Sequence, residues 1–204
     1  MPEYKLVNFD CKGRAEMTRM IFAAAGVKYE DCRLARQKYE ELKASGKLPF
    51  GQLPVLEVDG EILPQSMVWF APTESFEVAK ADVIAESLGH LFDKAIDWHF
   101  EENEETKQKL YKELFEKSIP RTLENLDKIL KSCDGKYFVG NKLTYADIIF
   151  FSVLKIIQEF KENDELNDGS ILLDKHMALK ELYSTVSNNP GINKWLSERP
   201  LTKY

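Results

Sequence analysis

Apolar residues follow two regimes along the chain. In the first third they come in short runs. Tyr4 to Phe9 reads as a strand, and Ala15, Met17, Met20, Ile21 and Ala24 recur at helical spacing over Gly13 to Ala25 until Gly26 stops the period. Lys28 to Leu34 reads as a second, parallel strand, completing a βαβ unit. Val55 to Val58 is a further apolar run, Asp59-Gly60 is a strong two-residue turn signal, and Glu61 to Leu63 reads as the returning strand. That hairpin extends the unit to a mixed four-stranded sheet. From about Glu74 the period lengthens, with helix candidates over Ala79 to Phe100, Glu105 to Ser132, Thr144 to Lys161, Leu173 to Asn188 and Gly191 to Arg199. The expected architecture is an α/β domain over residues 1–72 and an all-α domain over residues 73–204, with the boundary near Pro72.

Some local patterns say more than strand or helix. Pro54 enters a strand, where it has no N–H for a ladder. It is expected at a turn that admits a cis peptide, leaving the Leu53 backbone free to pair with an extended ligand. Gln65-Ser66 opens a helix, and Ser66 there offers a hydroxyl and free backbone N–H groups to a carboxylate. In the helical half, Thr144 is placed to cap a helix while Asp147 reaches back to the Thr144 N–H and Leu143 staples onto Ile148. Asp147 therefore has a structural job.

Composition narrows the functional classes. With 204 residues, 44% hydrophobic and 30% charged, the chain can bury a real core as an ordinary globular protein. A formal net charge of -6 argues against a nucleic-acid partner. Cys11, Cys32 and Cys133 are widely spaced and odd in number, which suggests neither a disulfide framework nor a metal site. The start has no apolar signal region and no apolar run approaches the ~18 residues of a membrane span. The expectation is a cytoplasmic protein without a membrane partner.

Several motifs recur in order over nearly the whole chain: Tyr4-Lys5-Leu6 with Gly13-Arg14-Ala15-Glu16, Pro49-Phe50-Gly51-Gln52-Leu53-Pro54, Leu56-Glu57-Val58-Asp59-Gly60 and Pro64-Gln65-Ser66. The helical half adds Phe138-Val139-Gly140-Asn141 with Thr144 to Asp147, and Trp195-Leu196-Ser197-Glu198-Arg199-Pro200. In these motifs the sequence resembles the cytosolic glutathione transferases, most closely the sigma class that includes the prostaglandin D synthases and the S-crystallins. The resemblance implies a thioredoxin-like glutathione-binding domain, a helical domain with a hydrophobic-substrate site, and a homodimer. It implies glutathione as co-substrate and a small hydrophobic electrophile or lipid as acceptor. By the same resemblance Gln65 and Ser66 hold the γ-glutamyl carboxylate, Leu53 with Pro54 clamps the cysteinyl backbone, and Lys43 and Gln52 fall at the glycyl end. Tyr39 stands where the family often has tryptophan.

The chain departs from the sigma pattern at the catalytic position. There the first strand ends in Tyr-Phe, and the tyrosine hydroxyl donates to the glutathione sulfur, favouring thiolate. Here the strand reads Leu6-Val7-Asn8-Phe9, so Phe9 is kept while Asn8 replaces the phenol with a shorter, less acidic donor. Losing one preorganised donor to a developing anion costs ~3 kcal/mol, on the order of a hundredfold in rate. Arg14, at the start of the first helix, is expected to add positive potential near the thiolate. Cys11, in the loop feeding that helix, is expected to feel a field that depresses its pKa.

Further departures lie downstream. The stretch from Met67 to Lys80 is short for the family, leaving Trp69, Phe70 and Phe76 either exposed or folded into the local core. Gly89-His90 falls where the family's partner subunit lends an acid. Phe92, Trp98 and Phe100 are candidates for the hydrophobic-substrate wall, or for helix core. The reading that results is a glutathione transferase with weakened activity that conjugates small electrophiles, with Asn8 and Arg14 as its catalytic residues. The alternatives are a non-catalytic glutathione-binding or crystallin-like protein, and a thioltransferase using Cys11.

Overall fold

The structure, a computed structural model, describes residues 2–64, 75–133, 136–162 and 172–202. Its elements run β1 (Tyr4–Phe9), α1 (Ala15–Ala25), β2 (Glu30–Leu34), α2 (Arg36–Ala44), β3 (Val55–Val58) and β4 (Glu61–Pro64). They continue with α3 (Ser75–Phe100), α4 (Glu104–Tyr111), a π-helical segment (Lys112–Ser118), α5 (Ile119–Ser132), α6 (Tyr145–Glu162), α7 (Met177–Ser187) and α8 (Pro190–Glu198). The chain divides into two compact units, Met1–Trp69 with Asn189–Tyr204, and Phe70–Asn188. The segment from Asn189 onward thus groups with the sheet, whereas the sequence expectation gave it to the helical half.

The first unit is a mixed sheet in the order β2-β1-β3-β4, with β1 and β2 parallel and the β1–β3 and β3–β4 pairs antiparallel. A central strand must be apolar on both faces, and β1 is. Leu6 packs with Ala15, Phe22 and Leu56 on one side, while Val7 packs with Tyr39, Leu48 and Val55 on the other. By the same alternation Asn8 follows Leu6 and Phe9 follows Val7, so the last two residues of β1 serve opposite faces. Helix α1 ends where its apolar period predicts: Gly26 adopts φ 64°, and the Val27 N–H reaches back to the Phe22 carbonyl. In the Asp59-Gly60 turn both residues have positive φ, 50° and 88°, as a tight hairpin requires.

Helix α8 is seated on α1. Asn189 caps it by accepting from the Gly191 and Ile192 N–H groups. A Cβ on Gly191 would lie 1.9 Å from the Ala23 carbonyl oxygen, so the helices approach as only glycine permits. Gly191→Ala should therefore force them apart and lower stability by about 1–3 kcal/mol, read from urea unfolding midpoints. A loss below ~0.5 kcal/mol would contradict this packing.

In the second unit the buried centre is α6, whose residues Tyr145 to Leu154 are all buried. The Thr144 N–H and hydroxyl both donate to Asp147, and Asp147 also accepts from the Phe138 N–H. The expected cap is present with one change: the threonine hydroxyl donates to the carboxylate instead of accepting from the helix. The long helix expected over Glu105 to Ser132 is interrupted by the π-helical segment, where the Ile119 N–H bonds to the Leu114 carbonyl. Pro120 follows directly, with no N–H to continue an ordinary ladder.

Candidate functional site

The C-terminal end of β1, the loop that follows it, α2 and the segment before β3 surround the position where the sequence places chemistry. Asn8 is only 3% exposed, and its amide Nδ2 donates to the Cys11 sulfur at 3.8 Å. One N–H of that amide is thus engaged by a thiol of its own chain. The loop is tight, with the Cys11 N–H bonded to the Phe9 carbonyl at 2.8 Å.

Burial pushes the Cys11 thiol above its ordinary pKa, although Arg19, Arg33 and the Asn8 amide pull the other way. This corrects the expectation that the helix field would depress it. The sign is plain: a raised pKa leaves less thiolate at neutral pH than a free cysteine has. Cys11 should therefore alkylate more slowly than free cysteine at pH 7, with a rate that keeps climbing past the free-thiol pKa. A profile that plateaus below pH 8 would contradict the direction.

Arg14 directly precedes α1 and is exposed. The buried arginine of this region is Arg19, 0% exposed, which sequence reasoning passed over because it sits inside an amphipathic helix.

On the opposite face of the sheet the predicted glutathione-binding residues gather. Phe9 meets Tyr39 edge-on, with ring centroids 5.0 Å apart, and Leu53 packs in the same cluster. Tyr39 is buried and its hydroxyl donates to the Gly51 carbonyl at 2.8 Å. Lys43 lies across this arrangement: its Nζ is 5.7 Å from the Tyr39 ring centroid, and its Cε is 3.4 Å from where a Gly51 Cβ would be. Gly51 itself has φ 61°, so both conformation and space call for glycine there. Gln52 is exposed, Leu53 and Pro54 are half-buried, and the Leu53–Pro54 peptide is cis. Gln65 and Ser66 lie outside the described residues, as do Trp69 and Phe70.

This geometry separates two roles. The Tyr39 donor is already committed to Gly51, which makes Tyr39 a brace for the segment before Pro54. The Lys43 ammonium lies beside that braced segment and the Gln52 side chain is exposed next to it. Helix α2, which carries Tyr39 and Lys43, was not anticipated. Tyr39 is its one buried residue, and its surface is held by the Arg36–Glu40 and Lys38–Glu41 ion pairs at 2.8 and 3.2 Å.

The candidates for a hydrophobic-substrate wall divide. Trp98 and Phe92 are core residues at 0% and 1% exposure, whereas Phe100 is 50% exposed. Phe100 lines a cavity of about 560 Å³ with Ile96, Leu110 and the carboxylates of Asp97, Glu101 and Glu102. Phe76, on the first turn of α3, is exposed and carries Lys80 over its ring at 4.8 Å. His90 is exposed, and His99 stacks on Phe160 with centroids 3.9 Å apart. Among the described residues no helix is long and apolar enough to cross a membrane.

A four-stranded sheet of this order followed by a helical unit is the two-part architecture that the sequence resemblance implies. Comparison with known proteins agrees. Residues 2–70 match the glutathione S-transferase N-terminal domain, and residues 90–199 match the glutathione S-transferase C-terminal domain. The chain belongs to the glutathione S-transferase family, whose co-substrate is glutathione. It is 36% identical to glutathione S-transferase 1 of Ascaris suum over 222 aligned positions, covering 100% of each chain. It is 34% identical to the hematopoietic prostaglandin D synthase of Gallus gallus, covering 99% of each. Among solved structures, a monomeric glutathione S-transferase from the hookworm Necator americanus superposes with a TM-score of 0.84 at 32% identity, covering 99% of this chain and 100% of that one.

Proposed function

We propose that this chain is a sigma-like glutathione transferase that binds glutathione in full and ionises its thiol poorly, conjugating it to small hydrophobic electrophiles at a reduced rate. The observation that carries this is the contrast between the two faces of β1. On the Phe9 face, Tyr39 braces Gly51 and leaves Lys43 beside it, a donor suited to the glycyl carboxylate. On the Asn8 face, the amide at the expected catalytic position has one of its two N–H groups on Cys11.

In this mechanism Lys43 and Gln52 receive the glycyl carboxylate, the Leu53 backbone pairs with the cysteinyl unit, and Gln65 with Ser66 receives the γ-glutamyl end. The sulfur then lies toward Asn8, with Arg14 adding positive potential. Cys11 holds one of the two N–H groups of the Asn8 amide, which leaves a single N–H, less acidic than a phenol, for a glutathione thiolate. Asn8 is therefore a weaker stabiliser of the developing anion than a phenol would be. The acceptor is a small apolar electrophile or a lipid, and the working form is a cytoplasmic homodimer. The hookworm relative described as monomeric makes light scattering a necessary companion measurement.

Titration calorimetry with glutathione, followed by steady-state conjugation of an aryl halide, tests the proposal. Binding below about 1 mM together with a measurable rate above that of free glutathione is the expected pair of results. Binding without any rate above free glutathione would instead assign a non-catalytic ligand binder. Absence of binding would remove the proposal altogether.

A further inference from the structure

A buried ionic chain runs through the first unit beside the β1–α1 loop and ends on α8. Glu16, 1% exposed in the first turn of α1, accepts at Oε1 from Trp195 Nε1 at 2.9 Å and from Arg199 Nη1 at 2.7 Å. Its other oxygen accepts from Arg19 Nη1 at 3.3 Å. The same Arg19 Nη1 donates to the carbonyls of Cys11 at 2.8 Å and Lys12 at 3.2 Å, and Arg19 Nε donates to Asp31 on β2 at 3.1 Å. Asp31 in turn holds Arg33, which also reaches Asp10 in the loop. The Arg19 Nη2 has no hydrogen-bond partner among the described residues. The guanidinium is thus held by Glu16, Asp31 and the loop carbonyls, and it rotates if one carboxylate is left undersatisfied.

Glu16 is the link that α8 controls. Its carboxylate is buried, so a donor lost from Oε1 has to be made up by the donors that remain, Arg19 among them. Drawing Arg19 toward Glu16 takes it from the carbonyls of Cys11 and Lys12. The residue so released is the one whose thiol holds the Asn8 amide. We propose that Arg199 and Trp195 are positioning residues for the sulfur end of the site, acting through Glu16 and Arg19 on the Cys11–Lys12 loop. The effect on turnover rests on the function proposed above; the effect on the loop does not.

The test is Arg199→Gln and Arg199→Lys, with Trp195→Phe as a milder variant that removes one donor and keeps the ring. Each is checked for native circular dichroism. One readout is the rate of Cys11 alkylation by iodoacetamide, followed by mass spectrometry. The other is kcat and KM for glutathione. Arg199→Gln should speed Cys11 alkylation about tenfold and raise kcat a few-fold, the direction expected when Cys11 lets go of the Asn8 amide, while KM for glutathione stays within about twofold because Lys43 beside Tyr39 lies on the other face of the sheet. Arg199→Lys should restore both partway, and Trp195→Phe should shift both in the same direction by less.

If Arg199→Gln does not fold, the Trp195→Phe and Arg199→Lys pair decides by the same criteria. Cys11 alkylation within twofold of the unmodified protein in every folded variant overturns the proposal. So does a rise in KM together with a fall in kcat and an unaffected thiol, which is the mark of general loosening. If the unmodified protein shows no conjugation, the proposed function has failed. The Cys11 rates then still decide whether α8 positions the loop.

Discussion

On the function proposed above, Asn8→Tyr should raise kcat/KM for glutathione conjugation about a hundredfold and lower the pKa of bound glutathione, because it supplies a phenol donor worth ~3 kcal/mol to a developing thiolate. Space sets one condition. The Asn8 side chain is enclosed and its amide touches the Cys11 sulfur, so a ring built from position 8 runs toward that thiol. The double variant Asn8→Tyr/Cys11→Ala removes the obstruction and should give the larger gain. Cys11→Ala alone frees the amide and should raise the rate only a few-fold, since an amide is a weaker donor than a phenol. Thiolate absorbance of the glutathione complex as a function of pH, measured for the four proteins, separates these effects. If the double variant leaves both the bound-thiol pKa and the rate where they were, the missing phenol is not what limits this protein.

The second large effect is on stability. Asp147→Ala should cost about 3–5 kcal/mol, because it leaves the Phe138 and Thr144 N–H groups and the Thr144 hydroxyl buried without their acceptor. Burial pushes the Asp147 carboxyl above the usual carboxylate range, while the same three donors oppose that shift. Asp147→Asn keeps one oxygen to accept and should cost less than half as much. Urea unfolding of the three proteins gives the comparison. A loss under 1 kcal/mol for Asp147→Ala would mean that water or another side chain replaces the acceptor.

Much of this was legible in the sequence wherever a residue acts on near neighbours. β1 and β3 begin and end where the apolar runs do, the Asp59-Gly60 turn behaves as its residue types demand, and the Thr144–Asp147 cap forms within one turn. Helix α2 escaped because apolar periodicity needs more than one buried position, and this helix has Tyr39 alone. Its charge pairs at i,i+4 (Arg36–Glu40) and i,i+3 (Lys38–Glu41) were the available signal. The π-helical segment escaped because it changes the ladder without changing the apolar face, although Pro120 marked the place.

At the site, the resemblance pointed to Tyr39 and Lys43 as candidates, and the structure sets them side by side, but nothing in the motifs marked the division between a phenol committed to Gly51 and the ammonium beside it. That division depends on how the segment before Pro54 folds back, which brings the Gly51 carbonyl to the phenol. The engagement of Asn8 by Cys11 needed only the three-residue spacing and a tight loop, and could have been anticipated. The Glu16–Arg199 contact spans 183 positions, and nothing local announces it.

That long span has a consequence for biogenesis. Residues 2–64 reach the ribosome exit early, yet the acid they bury on α1 meets its Arg199 and Trp195 donors only after the entire helical half has been translated. The nascent sheet must wait with Glu16 held by Arg19 alone and the seat for α8 open. A pause or truncation before residue 199 should therefore leave the first unit, not the second, as the substrate for chaperones and proteases.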